Sequence, residues 1–195
     1  IALMKAIKNN VEIKATKNAH LKDGIAVTTF IHWVKNNIGK VPMSELSASD
    51  FLKNCRKKQA GYKEPSFTTI SGYNSNGAII HYTPTVSSNA TLESKGFLLV
   101  DSGGQYSDGT TDITRTIALG PLTPKYYTAV LKAHIALASA EFSEGTTGAD
   151  LDAVTRKPLT DLGLNYNHGT GHGVGHMLSV HEGPQNISPR GNSQQ

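Results

Sequence analysis

Apolar residues recur every three or four positions in two stretches near the beginning of the chain. This spacing predicts a long amphipathic helix over 10–38 and a second helix over 44–59. Asn10 is a suitable N-cap for the first helix, and either Ser44 or Ser47 can cap the second. The apolar positions that define the first helix are Ile25, Phe30, Trp33, Val34 and Ile38.

The pattern changes after residue 66, where Thr, Ile, Tyr, Val and Gly are frequent and turn dipeptides such as Asn76-Gly77 interrupt them. This composition is typical of strands and hairpins. Helical spacing returns over 124–142 and 148–162, and Pro158 is expected to kink or end the second of these helices. From Asn165 onward, frequent Gly and His indicate loops and strands. The strands predicted before residue 120 are 66–72, 77–82, 97–102 and 111–118.

The order of helix pair, strands, helix pair and strands indicates two similar halves, 1–120 and 121–195. Because helices and strands occur in separate blocks, an α+β fold is favoured over a parallel α/β fold. A chain of 195 residues is also long enough to bury a sizeable core as one domain.

Composition excludes several classes of protein. The single cysteine, Cys55, rules out a disulfide framework and a cysteine-based zinc motif. No apolar run of about 18 residues predicts a membrane span, and no signal peptide is visible, so we expect a cytoplasmic protein without a membrane partner. Residues 1–63 hold 12 Lys and Arg against 4 Asp and Glu. These lysines are scattered along predicted helices with few aromatic residues between them, which favours solvated helix faces over a nucleic-acid partner.

Three aspartates lie in the segment 97–118, at the end of an apolar strand and in the turns that follow it. If the two strands pair so that residue numbers sum to about 213, Asp101 and Asp112 face each other about 4.5–5.5 Å apart. Carboxylates this close repel unless a proton or cation neutralises them, and a pair of divalent metal ions would do so. The alternative, that both only cap turns, is equally consistent with these residues alone. Asp108, in the turn, is interpreted as structural.

Four histidines separated by glycines form a second cluster. The glycines disfavour a helical metal-binding stripe by about 1 kcal/mol each and favour an extended loop that approaches a ligand closely. Histidine is both a common metal ligand and the usual proton-transfer group near neutral pH. The cluster consists of His168, His172, His176 and His181, of which His176 is equally well explained as a strand residue.

The remaining histidines are more typical of structural positions. His81 ends the predicted strand 77–82 and, taken alone, indicates a satisfied structural histidine. His20, His32 and His134 lie within predicted helices, and we assign all three to structural roles.

The motifs taken together resemble those of the X-prolyl aminopeptidases, also called aminopeptidase P, which are pita-bread metallopeptidases. The resemblance rests on the strings DSGGQYSDGTTDITRT, HGTGHGVG and VHEGP, with AIIHY upstream of the first aspartate, and extends over essentially the whole chain. It implies an α+β pita-bread fold, in which two pseudo-symmetric halves surround a curved antiparallel sheet. It also implies release of the N-terminal residue from peptides with proline in second position.

The resemblance further implies a dinuclear metal centre that activates a bridging water. The two divalent ions are usually Mn²⁺ in this branch, and Zn²⁺ or Co²⁺ are alternatives. By position, Asp101, Asp112 and His172 correspond to metal ligands, with Asp112 bridging the ions.

Three other histidines correspond to residues that contact the substrate. His81 and His181 match the catalytic histidines that hydrogen-bond the substrate and stabilise the tetrahedral intermediate. His168 matches a further substrate-binding histidine. The implied partner is therefore a peptide with an Xaa-Pro N-terminus. A homodimer is one of the states that the resemblance allows for the full-length protein.

The chain departs from the family at its ends. Two further glutamate ligands of the family lie beyond VHEGP, whereas Glu182 matches the acid of that string, which is not a ligand. The chain starts at Ile1, which cannot be an initiator. We therefore expect a C-terminally incomplete catalytic domain, lacking N-terminal domains, that alone holds two ions weakly and is inactive.

Two alternatives remain open at the level of the sequence. One is a prolidase or another aminopeptidase of the same fold. The other, from a different class, is a catalytically inactive pita-bread binding module. Retention of Asp101, Asp112 and His172 together argues against the inactive module, because a site without function has no reason to keep three ligands.

Overall fold

The computed structural model describes residues 1–121 and 124–190, which form two compact units. Of the described residues, 8–121 and 174–180 form the larger unit, and 1–7, 124–173 and 181–190 form the smaller unit. Both contain helices and antiparallel strands, which confirms the predicted α+β class. Within the described ranges, none of the helices is both long and apolar enough to cross a membrane.

The elements are named here in chain order. The helices are α1 (Ala2–Ala6), α2 (Asn10–Asn37), α3 (Glu45–Lys57), a 3₁₀ turn (Asn74–Ala78), α4 (Pro124–Ala138) and α5 (Gly148–Thr160). The strands are β1 (Tyr62–Pro65), β2 (Ile70–Tyr73), β3 (Phe97–Ser102), β4 (Gly104–Tyr106), β5 (Gly109–Thr110), β6 (Ile113–Ala118), β7 (Gly171–Gly173) and β8 (Glu182–Ile187).

Helix α2 packs one apolar stripe against α3 and against strands β2, β3 and β6 of the larger unit. Phe30 and Val34 are buried as predicted, whereas Ile25 is 51% exposed because it lies beside the buried stripe rather than on it. The helix begins at Asn10 as predicted, but its N-cap is Asn9 rather than Asn10, and the side chains of Asn9 and Glu12 form a capping box. Ser44 caps α3, one of the two options that the sequence allowed.

Two three-stranded antiparallel sheets complete the larger unit, with strand orders β2-β3-β6 and β1-β4-β5. Leu98 and Val100 of β3 and Ile117 of β6 join the helices in one apolar core. Alternate residues of β3, among them Asp101, lie on the opposite face and are half-buried. The core therefore fixes one face of the hairpin, and Asp101 lies on the other face.

The prediction of strand 77–82 is wrong. Residues Asn74–Ala78 form a 3₁₀ turn that starts at Asn74, whose φ is 47°. The chain folds back so closely that a Cβ on Gly72 would lie 2.7 Å from the Gly77 backbone. Local composition predicted a strand because Asn-Gly and β-branched residues are frequent there, but the close packing of two glycines decides the conformation.

The other predicted strands need smaller corrections. The strand predicted over 66–72 is the shorter strand β2, which begins only at Ile70. The strand predicted over 111–118 is β6, which begins at Ile113. The short strand β1 was not predicted; Tyr62 and Pro65 belong to a strand only because β4 pairs with it.

In the smaller unit, α4 and α5 lie together and α5 packs on β8. Thr147 caps α5 through a capping box with Asp150. Pro158 lies inside the last turn of α5, and the helix ends two residues later. Strands β7 and β8 pair antiparallel and bring the histidine-rich segment beside the HEGP segment.

Candidate functional site

Asp101 and Asp112 lie on one hairpin of the larger unit, but they do not face each other as predicted. Asp101 pairs with Thr114, so the predicted register is wrong by two residues. The hairpin turns in only two residues, between Tyr106 and Gly109, which pair with each other. Because alternate residues share a face, Asp112 lies on the face of Thr114, diagonal to Asp101 at a typical spacing of about 7–8 Å. Both aspartates are half-buried.

A buried polar cluster that was not predicted from the sequence includes Thr111, the residue before Asp112. Asp23 of α2 is fully buried and pairs with Arg56 of α3, whose Nε and Nη2 lie 2.5 and 3.1 Å from its two oxygens. The hydroxyls of Tyr106 and Thr111 donate to the same carboxylate at 2.8 and 2.9 Å. Thr111 immediately precedes Asp112, so the cluster reaches the candidate ligand through one peptide bond.

Burial is the main reason that the pKa of Tyr106 is raised far above its ordinary value, and the nearby Asp23 carboxylate adds to the shift. The hydroxyl therefore stays protonated and remains a donor to Asp23. The amphipathic sequence pattern of α2 could not reveal this cluster, because the partners of Asp23 are 33 or more residues away in sequence.

Asp108 has the structural role predicted for it. Its carboxylate accepts hydrogen bonds from Lys22 and Asn18 of α2. Burial alone would raise the pKa of Asp108, but these hydrogen bonds outweigh it and hold the pKa below its ordinary value. Asp108 thus ties the hairpin turn to α2.

His81 lies in a loop of the larger unit rather than at the end of a strand. It is exposed and has a φ of 60°. The next residue, Tyr82, donates its hydroxyl to the buried carboxylate of Glu45 at 2.8 Å. The same carboxylate accepts from the backbone N–H groups of Tyr73 and Ala90, so Glu45 holds the segment that presents His81.

In the smaller unit, the structure brings His172 and His181 together. Their rings meet edge to face with centroids 4.2 Å apart, because β7 pairs with the start of β8. Nδ1 of His172 lies 2.9 Å from the carbonyl oxygen of Gly173. Since a carbonyl oxygen can only accept, Nδ1 is the donor in this contact, and in a neutral ring the lone pair is then on Nε2. This is the tautomer in which histidine binds a metal ion through Nε2.

His168 is exposed in the loop before β7, and its Nδ1 donates to the Gly169 carbonyl at 2.7 Å. Arg156 of α5 holds this loop. Its guanidinium donates to the carbonyl oxygens of Tyr166 and His168 and lies 3.8 Å above the Tyr166 ring centre. Asp152, which is buried, pairs with Arg156 and accepts the Thr170 hydroxyl at 2.5 Å.

Two other motif residues have structural partners. His176 is not in a strand: its Nδ1 lies 3.0 Å from the Thr16 hydroxyl, and its carbonyl accepts from Thr110 N–H. Glu182 is buried and pairs with Lys5 at 2.9 Å in the smaller unit. The helical positions predicted for His20, His32 and His134 are confirmed, in α2 and α4.

The chain is similar in sequence to aminopeptidases that act on Xaa-Pro bonds. It is 47% identical over 197 aligned residues to Xaa-Pro aminopeptidase 1 of Dictyostelium discoideum, and the alignment covers 97% of this chain and 31% of that protein. The chain spans roughly a third or less of the length of the curated relatives it matches, at 31%, 27% and 33% for three of them.

The fold is also similar to solved structures. An X-prolyl aminopeptidase from Caenorhabditis elegans, described as a cytosolic enzyme with a di-nuclear active site, has a TM-score of 0.89 and 41% identity over 95% of this chain and 31% of its own. The Xaa-Pro dipeptidase from Bacillus anthracis has a TM-score of 0.83 and 29% identity, over 97% of this chain and 51% of its own.

A sequence model of one family matches residues 14–195, and its description is metallopeptidase family M24. This match covers most of the chain and agrees with the motifs and with the fold of the solved relatives. The chain belongs to metallopeptidase family M24 and has the pita-bread fold of that family.

Proposed function

We propose that this chain carries catalytic residues of a metal-dependent X-prolyl aminopeptidase, which releases the N-terminal residue from peptides with proline in second position. The observation that carries the proposal is the 47% identity to an Xaa-Pro aminopeptidase over 97% of the chain. Identity to the solved Xaa-Pro dipeptidase is lower, at 29%.

The proposed metal ligands are Asp101, Asp112 and His172, which would hold two divalent ions. The donors fit a divalent cation: the two carboxylates share one face of a hairpin, and the tautomer of His172 has its lone pair on Nε2. Oxygen donors with one imidazole suit Mn²⁺, which we propose as the metal. Two bound ions would supply Lewis-acid charge to the substrate carbonyl and lower the pKa of a coordinated water.

The proposed roles of His81, His181 and His168 come from the match of their motifs to those of the family. His81 and His181 are exposed and have ring nitrogens that can donate to a substrate carbonyl as negative charge develops on its oxygen. The ring of His172 orients that of His181 by edge-to-face contact. His168, also exposed, is proposed to bind the peptide beyond the cleaved bond.

We propose that the substrate is a free peptide and that the whole protein is cytoplasmic, as the C. elegans relative is described to be. A homodimer is proposed as the state of the whole protein. The second candidate function is a prolidase, because the fold is also similar to that of an Xaa-Pro dipeptidase, at a TM-score of 0.83 against 0.89 for the X-prolyl aminopeptidase.

The test uses the whole protein, loaded with Mn²⁺, and three matched peptides: Xaa-Pro-Yaa, Xaa-Ala-Yaa and the dipeptide Xaa-Pro. We expect release of the first residue from Xaa-Pro-Yaa, little reaction with Xaa-Ala-Yaa, and loss of activity on chelation that Mn²⁺ reverses. Cleavage of the dipeptide alone would instead assign a prolidase. Folded, Mn²⁺-binding protein that cleaves none of the three would be an inactive binding module.

A further inference from the structure

We propose that Thr111, anchored to the buried Asp23–Arg56 pair, is a positioning residue for the metal ligand Asp112. The inference rests on the proposed function, because it takes Asp112 as a ligand. It adds a role for three residues of the larger unit that lie outside the candidate site itself.

Every polar group of Thr111 has a defined partner. Its backbone N–H donates to the Gly104 carbonyl at 3.0 Å, and its carbonyl accepts from the Ser66 hydroxyl at 2.8 Å. Its own hydroxyl donates to Asp23 at 2.9 Å and accepts from the Gly104 N–H at 2.9 Å. Thr111 is fully buried, so these hydrogen bonds fix the backbone that leads into Asp112.

The anchor is itself rigid. Asp23 is fully buried, and Arg56, whose guanidinium balances its charge, is 1% exposed, so water has little access to either side chain. Asp23 belongs to α2 and Arg56 to α3, and both helices contribute to the core of the larger unit. The position of Thr111 is thus set by the core rather than by the exposed end of the hairpin.

Asp112 needs such an anchor because it precedes β6 and lies outside the paired strand residues. A metal ligand must be held within about 0.5 Å of its productive position, and groups behind the ligand supply that precision. Loss of such a supporting group typically weakens metal binding by about 10–100-fold.

The smaller unit has the same arrangement next to its own candidate ligand. Asp152 is buried, pairs with Arg156 and accepts the hydroxyl of Thr170, which lies two residues before His172. In both units, a threonine hydroxyl joins a buried Asp–Arg pair to the segment that carries a candidate ligand. The recurrence supports a positioning role rather than an accident of packing at Thr111.

The test compares two substitutions that remove one hydroxyl each from the same carboxylate. Thr111→Val removes the bond beside Asp112, and Tyr106→Phe removes the 2.8 Å bond from a residue that is not adjacent to a ligand. Both are made in the whole protein. The readouts are the dissociation constant for Mn²⁺ by calorimetry, the melting temperature without metal, and kcat and KM with Xaa-Pro-Yaa.

We expect both variants to melt at lower temperature, but only Thr111→Val to weaken Mn²⁺ binding, by about 10-fold or more. Thr111→Ser, which keeps the hydroxyl, should restore the affinity of the wild type and decides the question if Thr111→Val does not fold. Equal losses of Mn²⁺ affinity in Thr111→Val and Tyr106→Phe, or weak binding by Thr111→Ser, would overturn the proposal. So would a Thr111→Val variant that is merely less stable, or a wild-type protein that binds no Mn²⁺.

The same measurements separate this inference from the proposed function. If the wild type binds Mn²⁺ but cleaves no Xaa-Pro peptide, the proposed function fails, while the affinities of Thr111→Val and Tyr106→Phe still decide the role of Thr111. If the wild type is active, a lower kcat in Thr111→Val with KM unchanged, recovered at saturating Mn²⁺, agrees with displaced metal rather than lost substrate contacts.

Discussion

At the scale of residues, the three aspartates of the hairpin differ because their surroundings differ. Asp108 lies in the two-residue turn and binds Lys22 and Asn18, so its charge is already neutralised by the protein. Asp101 and Asp112 share the face of the hairpin that does not enter the apolar core. Composition alone does not distinguish the three aspartates, but the glycine after Asp108 and its place in a turn correctly predicted a structural role for it.

The partners of Asp108 predict how stability depends on pH. Its pKa is lowered in the folded state, so its stabilising contribution is complete above the unfolded pKa of about 4 and is lost as pH falls through the lower folded pKa. Because both side chains of the Lys22–Asp108 pair are 20% exposed, we expect Asp108→Asn to cost about 1 kcal/mol at pH 7. The melting temperature should fall accordingly.

Melting of the whole protein at pH 7 and pH 3 checks this prediction: the difference between wild type and Asp108→Asn should shrink at pH 3. Asp161→Asn is the matched control, because its pair with Lys157 is 72% and 58% exposed and is screened by solvent. A difference for Asp108→Asn that is the same at both pH values would contradict the assigned ion pair.

The buried polar clusters around the candidate site could not be predicted from the sequence. Asp23, Glu45 and Asp152 look like ordinary helix residues, yet each is buried and accepts a hydroxyl from a distant loop. Their function depends on partners that only the tertiary fold brings close. The candidate ligands, which are Asp and His residues, were visible in the sequence because their motifs are local.

At the scale of elements, strand existence was easier to predict than strand register. The apolar run of β3 and the β-branched residues of β6 identified both strands, but the length of the turn sets which residues face each other. A turn of two residues between Tyr106 and Gly109 moved the partner of Asp101 from the predicted Asp112 to Thr114. Asp101 and Asp112 still lie on the same face of the hairpin, because a shift of two residues preserves the alternation of side chains along a strand.

The pairing of β7 and β8 predicts that one glycine of HGTGHGVG is indispensable. A Cβ on Gly173 would lie 2.3 Å from the Glu182 carbonyl oxygen, so alanine must push the two strands apart. His172, the preceding residue, would move with β7. We expect Gly173→Ala to lower stability by about 1–3 kcal/mol and to weaken Mn²⁺ binding.

Gly169→Ala provides a control in the same glycine-rich loop. The nearest atoms to a Cβ there are 3.7 Å away, an ordinary van der Waals contact. Its melting temperature and Mn²⁺ affinity should stay close to those of the wild type. If Gly173→Ala also matches the wild type in both measurements, close strand packing is not what requires the glycine.

At the scale of the whole molecule, the separate blocks of helices and strands correctly predicted the α+β class, and the motifs correctly predicted the family. The motif strings can be read from the residues alone, whereas the course of each loop depends on packing. The loop of His81 shows this difference: its string AIIHY was recognisable, but its conformation as a strand was predicted wrongly.

The proposed metal centre makes a prediction for the stability of the whole molecule. A cation that binds only the folded state raises the free energy of unfolding, by about 2.7 kcal/mol when its free concentration is 100 times the dissociation constant. Mn²⁺ should therefore raise the melting temperature of the metal-free protein, and a chelator should reverse the rise. Asp112→Asn should abolish most of this increment.

Asp108→Asn separates loss of a ligand from loss of stability in the same hairpin. It removes the ion pair with Lys22, so its melting temperature starts lower, but its increment on addition of Mn²⁺ should equal that of the wild type. The two variants differ in charge by the same amount, which removes general electrostatic attraction of the cation as an explanation. An Asp112→Asn protein that keeps the full Mn²⁺ increment would show that the cation binds elsewhere.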